Sequence, residues 1–237
     1  ASWDYIDGCM IMSLLELYKV TDNSKYFAFA EKYIDHRIQE DGTIIGYHKE
    51  ELNLDNINEG KNLFTLYDLT GKEKYARATE KIYQQILEMP RTKEGNFWHK
   101  KIYPNQVWLD GLYMAQPYYM EYENRFNGRK NYEDIFTQFF NVEKNQKDPK
   151  TGLYYHAYDS ERCMFWADKE TGLSQNFWLR ALGWFSMALL DTLTLADTAY
   201  PDYGHLLKMY QDLIDSMLRF QSPEGMWYQV PNFPGRE

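Results

Sequence analysis

A unit of about fifty residues recurs along this chain, and no other feature restricts the possible folds as much. DGCMIMSLLELYKVTDNSKY from Asp7 resembles EGKNLFTLYDLTGKEKY from Glu59, and both resemble DGLYMAQPYYMEYENRFNGRKNY from Asp110. A more divergent copy, RALGWFSMALLDTLTLAD, starts at Arg180, and the anchor glycines are Gly8, Gly60, Gly111 and Gly183. In each copy an apolar-rich helix comes first, then a short turn such as Thr70-Gly71 or Asn127-Gly128, then a more amphipathic helix. A glycine-centred turn with an aromatic pair follows: DGTIIGYH, EGNFWHK, TGLYYHA and EGMWYQV.

Stacked helical hairpins make either an open solenoid or a closed toroid. The first helices are nearly apolar all round, as an inner ring buried on every side requires, so the expected fold class is all-α, an α/α toroid of alternating inner and outer helices. Four hairpins are visible in what reads as one domain over residues 1–237. If the ring needs six, a barrel of the (α/α)6 kind, the sequence is incomplete at one or both ends; a start at Ala1-Ser2-Trp3 without Met and a stop at Gly235-Arg236-Glu237 are read the same way.

The net charge of −9 argues against nucleic acid as a partner, though a few local cations still suffice to hold a small anion. No apolar run spans a membrane and no signal peptide is visible. Cys9 and Cys163 both sit among apolar residues and read as free buried thiols, consistent with a cytoplasmic setting. Aromatic residues make up 17% of the chain, with 21 Tyr and 7 Trp; rings filling gaps between helices explain most of them, and a sugar-binding cleft explains the rest.

Because the copies superpose, residues at one offset from the anchor glycine gather at one mouth of the ring. Trp3, Asp55, Gln106 and Trp178 lie five residues before it, Tyr5, Ile57, Trp108 and Arg180 three before, and Asp7, Glu59, Asp110 and Leu182 one before. The return loops add Tyr47-His48, Trp98-His99, Tyr155-His156 and Tyr228-Gln229. Histidines beside carboxylates make a polar site; without HExxH or CxxC, no metal and no cofactor is expected.

Offset alone does not choose among Asp7, Glu59 and Asp110. HKKIYPNQVWLDGLYM favours Asp110, for it sets His99, Lys100, Trp108 and Asp110 together, with Asp55 coming from the adjoining hairpin. Pro104 turns the chain, and Asn105 or a neighbour is expected to cap the helix that follows. The macrodipole favours a charged Asp110, so a role as general acid requires burial by Trp108 or a second carboxylate to raise its pKa. Arg180 beside Trp178 offers a planar cation for a carboxylate, with a salt bridge at the rim as the other reading. Residue chemistry alone thus reaches a site for an acidic sugar or oligosaccharide.

LDNINEGK, HKKIYPNQVWLDGLYM, GLYYHAYD, FWADKETGLSQNFWLRALGW and GMWYQV together resemble the unsaturated rhamnogalacturonyl hydrolases, glycoside hydrolase family 105. The related unsaturated glucuronyl hydrolases match HKKIYPNQVWLDGLYM and SQNFWLRALGW less closely. The resemblance implies a six-hairpin α/α barrel and a substrate left by polysaccharide lyases, an oligosaccharide ending in a uronic acid with a C4=C5 double bond. It implies that Asp110 donates a proton to C4 and activates the water that adds at C5, after which the hemiketal opens and releases the next sugar, normally rhamnose. It makes Asp55 the second important acid and places His99, Lys100, Trp108, His156, Trp178 and Arg180 along the substrate. A toroidal sugar epimerase using His99 and His156, an inverting hydrolase of saturated glycans, and a non-catalytic carbohydrate-binding ring are the competing readings.

Overall fold

The computed structural model describes residues 3–235; the terminal residues on which the chain's ends were read, Ala1-Ser2 and Arg236-Glu237, lie outside them. Among the described residues the helices are α1 (Tyr5–Thr21), α2 (Ser24–Asp35), α3 (Asp55–Asn58), α4 (Lys61–Thr70), α5 (Glu73–Glu88), α6 (Leu109–Arg125), α7 (Tyr132–Gln146), α8 (Leu179–Leu195) and α9 (Tyr203–Leu218). Two short strands, β1 (Gln106–Trp108) and β2 (Ala157–Asp159), pair antiparallel. The expected hairpins are all present, as α1–α2, α4–α5, α6–α7 and α8–α9. They fall in two compact units, one up to Met89 and one from Pro90.

Local chemistry sets the element ends. The Asp4 carboxylate accepts from the Ile6 N–H and caps α1, and Asn23 caps α2 through the Lys25 N–H. Gly71 closes α4 in the left-handed region at φ 66°, where a side chain would be strained. The second helices then run into one repeated turn. Its N–H to carbonyl bonds join Gln39 to Thr43, Thr92 to Asn96 and Ser222 to Met226, and the third copy, from Asp148 to Leu153, is one residue longer. At its tip sit Gly42, Gly95, Gly152 and Gly225, all at positive φ. In two copies the turn also packs tightly on the next copy's second helix: a Cβ at Gly42 would lie 2.6 Å from Arg77, and one at Gly152 only 2.2 Å from the Ser216 hydroxyl, whereas Gly95 faces open space.

The all-round burial expected of the first helices holds for α6, whose residues from Leu109 to Met120 are all buried. It fails for α1, which exposes Ile6, Met10, Leu17 and Val20, and for α8, which exposes Met187 and Leu190. Most large rings fill the interior: Tyr118, Tyr119, Phe136, Phe139, Tyr154 and Phe185 are closed to solvent in the second unit. Phe185 of α8 lies 4.8 Å from the Tyr154 ring and 6.2 Å from that of Phe139, joining α8 to α7 and to the loop that follows it.

Candidate active site

The register of the two strands builds the centre of the second unit. Gln106 pairs with Asp159, Val107 with Tyr158 and Trp108 with Ala157. One step further, the Leu109 N–H donates to the His156 carbonyl at 3.0 Å, so His156 arrives beside the residue after Leu109, which is Asp110. His156 Nε2 lies 3.1 Å from Asp110 Oδ2 and donates to it, since a carboxylate only accepts. The loop carrying His156 is held from behind, for Gln146 at the end of α7 bonds both the N–H and the carbonyl of Tyr155.

The other oxygen, Asp110 Oδ1, meets Arg180 Nη2 at 3.1 Å. Arg180 is the second residue of α8 as Asp110 is of α6, and each helix follows an extended tryptophan, Trp178 or Trp108. The two helices pack together, with Tyr113 and Trp184 in ring contact at 4.7 Å. The fourth return loop repeats the third: the Leu179 N–H donates to the Gln229 carbonyl at 2.8 Å. Gln229 is therefore the counterpart of His156 for the helix that carries Arg180.

Trp108 forms the wall. It stacks on His99 at 4.6 Å and on Tyr103 at 5.1 Å, meets His156 edge-on at 5.4 Å, and its indole N–H donates to Gln106 Oε1. Lys100 reaches over the Tyr103 ring, and Arg180 lies over Trp178 with Cζ 5.6 Å from the ring centre. Asp110, His99, Lys100, Trp108, His156, Trp178 and Arg180 thus all belong to one unit, and Asp110 is bonded or paired to His156 and Arg180 beside the stacked rings of Trp108 and His99. Asp55 lies in the other unit, half-buried at the first residue of α3, with its N–H bonded to Asn53. Gln106, one of the row five residues before the anchor glycine, and Tyr103 both steady Trp108; Tyr103 carries no sequence signal, because a stacking partner five residues away leaves no helical or strand periodicity.

Several expectations are corrected. The Asp110 carboxyl is not raised but lowered. Burial is the largest single influence and pulls it up, yet the His156 hydrogen bond and the charges of His156, Arg180 and His99 together outweigh it. Asn105 does not cap α6: it sits at φ 61°, β1 intervenes, and Trp108 takes the cap position without a side-chain hydrogen bond. Gly183 is not the counterpart of Gly111, because aligning the two tryptophans shifts α8 by two residues and makes Arg180 the equivalent of Asp110. His48 leaves the histidine row, since the Ile38–Ile44 bridge matches Arg91–Phe97 and Lys147–Tyr154 and so puts Gly46 where His99 and His156 stand; His48 is exposed beside Glu50. Cys9 and Cys163 are both free, but neither is buried as expected: Cys9 is half-buried and Cys163 exposed.

Asp7 and Glu59 are committed to packing within the first unit. Asp7 accepts from the Tyr33 hydroxyl and faces Arg37, while Glu59, closed to solvent, accepts from the Asp4 N–H and lies 3.7 Å from Arg37 Nη1. Burial outweighs these partners and pushes the Glu59 carboxyl up to about 8 from 4.5. Between those values the folded chain holds a proton that the unfolded chain has lost. The stability it confers is therefore fully present below about pH 4.5 and lost as pH rises toward 8, by up to about 1.4 kcal/mol per unit. Urea midpoints at pH 5 and pH 8 should differ more for the natural sequence than for Glu59→Gln; an equal difference would mean that Glu59 ionises normally.

Among the described residues no helix is long and apolar enough to cross a membrane, and no three His, Cys, Asp or Glu side chains are grouped to hold a metal ion. The family model described as Glycosyl Hydrolase Family 88 matches residues 1–235. The chain is 26% identical over 239 residues to the unsaturated rhamnogalacturonyl hydrolase YesR of Bacillus subtilis (strain 168), covering 98% of this chain and 65% of that protein. It superposes on a family 105 glycoside hydrolase of C. acetobutylicum ATCC 824 with a TM-score of 0.97 at 44% identity, over 100% of this chain and 66% of that one. An unsaturated glucuronyl hydrolase specific for heparin is similar in fold alone, with a TM-score of 0.65 at 14% identity over 97% of this chain and 61% of that one. The fold class is the expected all-α one, that of the (α/α)6 toroid enzymes to which these relatives belong.

Proposed function

The chain belongs to Glycosyl Hydrolase Family 88, and from that membership we propose that it serves an enzyme removing a Δ4,5-unsaturated galacturonyl residue from the non-reducing end of rhamnogalacturonan fragments. One observation carries this reading: a buried carboxylate at a helix start, Asp110, with a histidine on one oxygen and an arginine on the other. Hydration of an enol ether needs one proton donor and one water, and Asp110 is proposed as that donor.

Asp110 gives its proton to C4, the C4=C5 electron pair forms the new C4–H bond, and positive charge develops at C5 and the ring oxygen. Water adds at C5 and returns a proton to Asp110, after which the hemiketal opens and the rhamnose leaves. Asp55 is proposed as the second acid, a carboxylate charge being what eases an oxocarbenium-like state. Trp108 and Trp178 offer faces for the sugar, His99, Lys100 and His156 polar contacts, and Arg180 a partner for the uronate. The family favours this class over the epimerase and the non-catalytic ring. Two free thiols, one exposed, suit a reducing compartment, and a cytoplasmic setting is part of the proposal.

The conjugated double bond absorbs in the ultraviolet and its hydration product does not. The full-length protein is expected to bleach unsaturated galacturonyl-rhamnose, and to do so faster than an unsaturated glucuronyl disaccharide. The reverse order would select the glucuronyl hydrolase reading, and bleaching of neither would remove both.

A further inference from the structure

Asp110 poses a problem that the proposed reaction does not answer. A general acid must hold a proton when the substrate is in place, yet here both carboxylate oxygens face cationic or hydrogen-bonding partners that favour the charged form. The two partners differ in how firmly they are held. His156 is fixed by the strand register and by Gln146, and its side chain is 20% exposed. Arg180 is 53% exposed and rests on the face of Trp178, so rotation about its own side-chain bonds turns it from Asp110 without disturbing the core. The group that would bind a uronate is thus one of those that hold the acid charged, after the fixed His156 and ahead of His99.

We propose that Arg180 is a substrate-released lock: it holds Asp110 as a carboxylate in the free protein, and the carboxylate of the incoming uronate draws it away so that Asp110 takes up its proton only in the complex. This rests on the reading of the site as one for an unsaturated uronyl sugar. Two carboxylates then share one guanidinium, and like charges at close range cannot both stay ionised, so a proton is drawn from solvent. The substrate carboxylate keeps the bidentate arginine and Asp110 keeps the proton. The other groups that act on the Asp110 charge, His99 from the loop before β1 and His156 from the loop before β2, are proposed to stay in place.

The proton balance closes over one turnover. A proton enters from solvent as the uronate binds, passes from Asp110 to C4, is replaced on Asp110 by one from the water that adds at C5, and leaves when the product departs and Arg180 returns. The lock makes the substrate's charge a condition for catalysis as well as for binding. A neutral sugar in the same place leaves Asp110 ionised and unable to donate.

The test is the pH dependence of steady-state bleaching of unsaturated galacturonyl-rhamnose by the full-length protein. The profile of kcat/KM reports the free protein and that of kcat the complex. The falling limb of kcat is expected at least one pH unit above that of kcat/KM, with KM rising about tenfold per pH unit in between. In Arg180→Gln, which keeps His156 and His99, the two limbs are expected to close up because the free acid and the complex are then held by the same two histidines. The methyl ester of the same disaccharide, with the natural sequence, provides a second readout: its kcat limb should fall back toward that of kcat/KM, whatever the ester does to intrinsic reactivity. Coincident limbs in the natural protein, or an unchanged kcat limb with the ester, would overturn the lock while leaving the hydrolase reading intact. Absence of bleaching at every pH would instead overturn that reading and the lock with it.

Discussion

Asp110→Asn is expected to lower kcat on unsaturated galacturonyl-rhamnose by about 10²–10⁴-fold, the range that a positioned general acid contributes. The amide has the shape of the carboxyl and retains an oxygen for Arg180 or His156, so the fold should survive; what it lacks is a proton to give to C4. KM is expected to stay level or fall, because the substitution removes the anion that competes with the uronate for Arg180. Absorbance assays at saturating and limiting substrate separate the two effects. Full activity in the variant would move the acid role away from Asp110, with Asp55 as the next candidate.

Phe185→Ala should cost about 3–5 kcal/mol of stability, the usual range for emptying a fully buried phenylalanine site. The ring is closed to solvent and in contact with Tyr154 and Phe139, so its removal leaves a cavity between α8, α7 and the loop that leads to His156. For a chain of this size the melting temperature should fall by roughly 10 °C, since each kcal/mol moves it by about 2–4 °C. Phe185→Leu fills much of the space and should recover more than half of the loss. Calorimetry of both variants checks this, and a loss below about 1 kcal/mol would mean that the site collapses freely around the missing ring.

The hairpins were legible because their signal is local and repeated. Each second helix carries an amphipathic stripe, and each turn after it needs a glycine at positive φ, so the period survives divergence elsewhere. Asp110 and Trp108 were legible together because one local stretch, HKKIYPNQVWLDGLYM, carries both, whereas His156 and Arg180 joined them through the family resemblance. The charge state of Asp110 was not legible, because it depends on whether burial or the summed cations prevail, and that balance is set by ångström distances between residues far apart in the chain. His48 and Gly183 each stand two residues out of register: His99 and His156 lie four residues after their turn glycines but His48 six after Gly42, and Gly111 lies three after its tryptophan but Gly183 five. Neither Asp7 nor Glu59 could be set aside without seeing Arg37 and Tyr33, which engage them from α2 and the segment just after it.

The bonds from the Leu109 N–H to His156 and from the Leu179 N–H to Gln229 also impose an order in time. Synthesis runs from the N-terminus, so the start of each of these helices leaves the ribosome about one repeat before the loop that seals it. Asp110 emerges first, waits for His156, and then for Arg180. The acid is therefore made early and completed late, and a nascent chain halted between Asp110 and Arg180 carries its carboxylate without the guanidinium that restrains it.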